Sequence, residues 1–181
     1  MSAAKVHPVH ELAPCEPVVD KTASCTFYML KADFVRDYPE KQLPFWAEIR
    51  EKHPEAMVEV TITWAEVVSG KHVQNVLSIS HRWMLPTSPD PDCEQLKAVQ
   101  SFLQSEKGKD FKLVWLDSAC MPQDQPHGSR SAEDTASFKR MLKDINMLFL
   151  GTSVLILLDL SYLSRCERRD RQGFESRRAL K

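Results

Sequence analysis

Three short apolar runs constrain this chain most: Val76–Ser80, Phe111–Leu116 and Ser153–Leu158. Each stops abruptly at polar residues. The first leads into His81, Arg82 and Trp83, the second into Asp117, Cys120 and Gln123, and the third into Asp159 and Tyr162. Amphipathic stretches separate them. Leu96, Val99, Phe102 and Leu103 share a helical face behind Asp92, which is read as the N-cap. Phe138, Met141, Leu142, Ile145, Leu148 and Phe149 form a second stripe, from a Ser131 cap to a stop at Gly151. A β-α-β-α-β order with short connections predicts right-handed crossovers and half of a doubly wound α/β sheet. The third run is apolar at consecutive positions, as strands covered on both faces are. Ligands of such sheets bind at the strands' carboxyl ends, so His81, Asp117 and Tyr162 are expected on one rim.

The remaining segments are less patterned. Residues 1–25 carry scattered Pro, Lys and Glu without periodicity and read as a flexible arm. Residues 26–75 read as an extension with helices. Pro44 opens a helix through Trp46 and Ile49 to about His53, the alternation of Val58, Val60 and Ile62 has the period of a strand, and a helical turn from Trp64 stops at Gly70. Residues 76–164 form the patterned core. From Arg165 to Lys181 seven basic and three acidic residues give a tail of net +4, which leaves −5 on residues 1–164. Phe174 and Leu180 are the tail's large apolar residues, so it supplies neither a fourth strand nor a covering helix. The third run is then left with an open edge and a poorly covered face, which favours association.

A net charge of −1 excludes any general pull toward nucleic acid or membrane. The most apolar stretch, Met147 to Leu158, is too short for a bilayer, which takes about 20 residues. Five cysteines, an odd number without C-x-x-C spacing, behind an N-terminus with no apolar leader, read as reduced cytoplasmic thiols. Neither G-x-G-x-x-G nor a Walker A pattern is present, which disfavours standard dinucleotide dehydrogenases and P-loop NTPases.

The polar residues at the run ends each admit two readings. Asp117 either orients a ligand or caps backbone N–H groups of the next turn. His81 is a ligand contact or a hydrogen-bonded structural histidine; with no convincing ligand set nearby, a metal role is disfavoured. Cys120 has no assigned base and reads as a packed thiol rather than a nucleophile. Gln123 contacts a ligand or ties down its loop. Trp83 and Trp115 stack on a ring or pack. Arg82 pairs with a phosphate or stays solvated. Asp159 and Tyr162 complete the candidate crevice.

Leu77-Ser78-Ile79-Ser80-His81-Arg82-Trp83 resembles the first block of the heterokaryon-incompatibility (HET) family, and Trp115-Leu116-Asp117-Ser118-Ala119-Cys120-Met121-Pro122-Gln123 resembles its second. Met141 to Leu158 resembles the third. The likeness extends more distantly to the Toll/interleukin receptor (TIR) superfamily. The pattern Ser80-His81-Arg82-Trp83, Pro89-Asp90-Pro91, Met121-Pro122-Gln123 resembles uncharacterised protist and algal proteins. Met84 stands where the HET block has glycine, and Met121-Pro122 where it has Ile-Asn. The resemblance implies a partial, flavodoxin/TIR-like three-layer fold. Its parallel sheet would have about three core strands in the order 2-1-3, with the last strands missing. It also implies a signalling module acting by self-association or partner binding. The competing implication is an NAD-directed hydrolase with NAD in the crevice, or an inactive truncated product. The glutamate with which enzymatic TIR-like members cleave NAD has no matching position here.

Overall fold

The computed structural model describes residues 23–40, 42–85 and 87–158. Asp159, Tyr162, the basic tail and most of the N-terminal arm lie outside them. The described strands are β1 (Ser24–Lys31), β2 (Met57–Thr63), β3 (Val76–Ser80), β4 (Leu113–Trp115) and β5 (Ser153–Ile156). The helices are α1 (Ala32–Arg36), α2 (Trp46–Lys52), α3 (Trp64–Ser69), α4 (Glu94–Gln104), α5 (Asp117–Cys120), α6 (Ala132–Lys143) and α7 (Asn146–Gly151). All five strands belong to one open sheet in the order β2-β1-β4-β3-β5.

That sheet corrects the expectation of a three-strand parallel sheet in the order 2-1-3 with a helical extension beside it. β3 does run parallel to β4 and β5. The region read as the extension, however, supplies two more strands. β1 pairs antiparallel with β2 from Ser24↔Thr63 to Leu30↔Met57, and with β4 through Leu30↔Val114 and Lys31↔Leu113. The result is a mixed sheet. The physical cause is the alternation of β1, which buries Cys25, Phe27 and Met29 and turns Thr26 outward. Ser24 and Cys25 thus belong to the sheet and not to an arm.

Alternation along β4 fixes the two layers. Val114 faces a cavity walled by Val35 of α1 and by Leu96 and Val99 of α4. Its neighbour Trp115 points to the opposite face, where it meets Phe149 of α7 edge-on at 5.8 Å between ring centroids. Trp115 is therefore a core residue. On that second face α3 packs against α7 so closely that a Cβ on Gly151 would stand 3.0 Å from the Val67 side chain. The Ser78 and Thr152 hydroxyls, both buried, bond each other at 2.7 Å, and Thr152 Oγ1 also donates to the Leu148 carbonyl. Neither polar group is left bare inside the core.

Helix ends follow local chemistry, with two departures. α3 starts with a reciprocal capping box between Thr63 and Glu66 and ends at Gly70, whose φ of 68° suits a residue without Cβ. Ser131 caps α6 through the Asp134 N–H. The stripe from Ser131 to Gly151 is two helices rather than one, broken at Asp144–Ile145. α4 is capped by Asp90 and not by Asp92: the Asp90 carboxylate accepts from the N–H groups of Glu94, Gln95 and Leu96. Cys93, at φ 60°, makes the turn that lets Asp90 reach so far forward.

Because β1 and β4 meet at Leu30↔Val114, the antiparallel and parallel parts share one core. Truncating Leu30, which is fully buried, should cost about 2–5 kcal/mol. Urea melts of Leu30→Ala should keep a single transition at lower midpoint, with fluorescence and circular dichroism coinciding; two separate transitions would mean that the halves fold independently.

Candidate functional site: an imidazole–carboxylate clasp at the strand ends

β3 and β4 are parallel neighbours, so their carboxyl ends open on the same edge. His81 follows β3 immediately, and Asp117 stands two residues beyond the β4 ladder as the first residue of α5. Their side chains meet, with His81 Nε2 2.8 Å from Asp117 Oδ1. Trp83, two residues further along the first loop, donates Nε1 to both Asp117 oxygens at 3.0 and 2.9 Å. The indole also packs near Phe45, which precedes α2.

The second imidazole nitrogen is engaged as well. His81 Nδ1 lies 2.6 Å from Gln95 Oε1, in the first turn of α4. The Gln95 amide cannot be turned around, because its Nε2 already donates to the carbonyls of Arg82 and Pro89 at 3.0 and 3.1 Å. Its oxygen must therefore face the ring. With an acceptor at each nitrogen, both donors are satisfied together only by the imidazolium. Burial works against that charge, the His81 side chain being 4% exposed. The hydrogen bond and charge of Asp117, the Gln95 oxygen and the Asp90 charge outweigh burial and raise the His81 pKa above 6.5.

The other candidate residues take quieter places. Gln123 Nε2 donates to the Asp117 carbonyl at 2.8 Å and so ties the loop after α5 back to its start. Cys120 is fully buried; its sulfur accepts from the Leu116 N–H and lies 3.8 Å from the Val114 carbonyl. Burial pushes its thiol up to about 12, so it is not a thiolate nucleophile at neutral pH. Arg82 is exposed and contributes its carbonyl to the Gln95 amide. Asp159 and Tyr162 fall outside the described residues, so the rim is described through His81 and Asp117. Among the described residues no three His, Cys, Asp or Glu side chains cluster as metal ligands would, and no helix is long and apolar enough to cross a membrane.

Gln95 carried no signal in the sequence, and Asp90 stood out only within the Pro89-Asp90-Pro91 pattern, without a role. Nothing at a helix start distinguishes a glutamine that orients a histidine from a solvated one. The reach of Asp90 depends on the left-handed turn at Cys93.

Chemically, the constellation is a clasp. It joins the loop after β3, the start of α4 and the turn after β4. A general base needs a free nitrogen lone pair within reach of its proton, and both nitrogens of His81 are held. The Asp117 carboxylate is 34% exposed yet receives three hydrogen bonds. No family model, curated protein or solved structure matches the chain. Fold and site together define a mixed α/β protein whose strand ends are locked by a charged, hydrogen-bonded pair.

The clasp gives stability a pH dependence of definite sign. A histidine with a raised folded pKa contributes stability that is complete below its unfolded value, about 6.5, and is lost as pH rises through the folded value. Denaturant midpoints should therefore fall from pH 6 toward alkaline pH. Asp117→Asn should flatten that slope and lower stability at pH 6 by about 1–3 kcal/mol. A wild-type midpoint that rises over this range would contradict the charged ring.

Proposed function

We propose that the chain is a TIR/HET-like signalling or interaction module that works through self-association or partner binding, and that it does so in the cytoplasm. The observation that carries this reading is an apolar strip on the edge strand. Val154 and Ile156 of β5 and Leu158 just beyond it alternate and are 38%, 61% and 75% exposed, and Leu150 of the adjoining α7 is exposed as well. β5 has β3 as its partner among the described strands. An edge strand without charge, proline or bulge is a template for another chain, and contiguous apolar surface marks a contact site. The two motif blocks that resemble the HET family run over the ends of β3 and β4, where the clasp hydrogen-bonds one to the other. The cytoplasmic assignment has the free thiols of Cys25, Cys93 and Cys120 behind it.

The NAD-directed reading has the strand-end location in its favour. Against it stand a histidine with no free nitrogen and a thiol held neutral.

Light scattering on the full chain should give a mass above the monomer at micromolar concentration. Ile156→Lys combined with Leu158→Lys should return it to the monomer with little change in melting. A wild-type monomer at every concentration would reject self-association and leave a heterologous partner as the reading. Incubation with NAD should release no nicotinamide; release that disappears on Asp117→Ala would instead establish the hydrolase.

A further inference from the structure

Beside the clasp lies a mostly enclosed cavity of about 80 Å³. Its floor is the sheet, through Ile79, Val114 and Leu116, and its walls are Val35, Leu96 and Val99. The mouth runs between two loops, Gln42–Phe45 and Thr87–Asp90, held to each other by the Gln42 amide donating to the Asp90 carbonyl. A single water needs about 10–15 Å³ of such space, so the void is many times larger than packing faults require. Through His81 and Ser118 it also reaches the carboxyl ends of β3 and β4, the edge at which ligands of open α/β sheets bind.

One observation makes this space a site rather than a gap. Ser118, on α5, lines it and is 3% exposed, yet no hydrogen bond engages its hydroxyl among the described residues. Buried hydroxyls are ordinarily paired, so this one faces the cavity with a donor and an acceptor to offer. The charges nearby are already committed. His81 is paired with Asp117, and Asp90 is spent on three N–H groups of α4. A charged ligand would find no free counter-charge there, and an unpaired buried charge is costly.

We infer that this cavity is a binding site for a short, uncharged, mainly aliphatic molecule that presents one hydrogen-bonding group to Ser118. This inference is independent of the association reading: it needs neither β5 nor a second chain. The volume limits the ligand to a few carbon atoms, so the class is that of short-chain alcohols and amides. A whole dinucleotide does not fit inside.

The test uses butanol, butyrate, butylamine and xenon on the full chain, read by methyl NMR of Ile79, Leu96 and Val114. Butanol should produce saturable shifts confined to these methyls, and butyrate and butylamine should not. Ser118→Ala should weaken butanol by about three- to tenfold and leave xenon unchanged. Val99→Phe, which fills the void, should abolish both. Absence of saturation with butanol, or saturation that persists in a folded Val99→Phe protein, overturns the site. If Val99→Phe does not melt cooperatively, the Ser118→Ala comparison decides: equal butanol affinity in wild type and variant overturns the assignment. Butyrate binding as tightly as butanol overturns the uncharged class.

Discussion

β4 is a ladder of three residues, and the rest of the molecule is arranged around it. On one side it pairs antiparallel with β1, and on the other parallel with β3. One of its side chains, Val114, floors the α1/α4 layer, and the next, Trp115, enters the α7 layer. A strand so short holds its register only because both neighbours and both layers agree on it. A shift by one residue would exchange Val114 and Trp115 between faces and put an indole where the cavity floor is.

The clasp follows from that register. With β3 and β4 side by side and pointing the same way, His81 and Asp117 leave the sheet within hydrogen-bonding distance although 36 positions separate them. Gln95 then adds a smaller push than Asp117 toward the charged ring. Its amide is held by the carbonyls of Arg82 and Pro89, so the loop after β3, the turn before α4 and the histidine form one hydrogen-bonded unit. A charged pair of this kind adds little net stability, because desolvation offsets most of the attraction. What it supplies here is a fixed geometry for the loops that border the cavity.

The cysteines show how context decides chemistry. Cys120 sits at a strand-end turn, where a reactive thiol would be looked for, but burial raises it to about 12. Cys25 is raised to about 11, first by burial and then by the Asp144 charge. Neither is built for nucleophilic work. A buried residue whose hydroxyl is open to the cavity is instead Ser118, which looks like filler between Asp117 and Cys120.

The local elements were legible in the order of the residues. Apolar runs with abrupt polar ends became β3, β4 and β5, the alternation at Val58, Val60 and Ile62 became β2, and Gly70 and Ser131 bounded helices as their chemistry requires. These features depend on periodicity and caps, which act within a few residues. Strand β1 was hidden by its place next to an unpatterned arm, and its position between β2 and β4 was not legible at all, because strand order depends on which faces bury together. Tertiary structure alone brought Gln95 to His81, sent Asp90 past Asp92 to cap α4, and turned the break at Asp144–Ile145 into two helices. Each of these rests on contacts between segments distant in sequence or on a backbone turn whose sense no single residue type dictates.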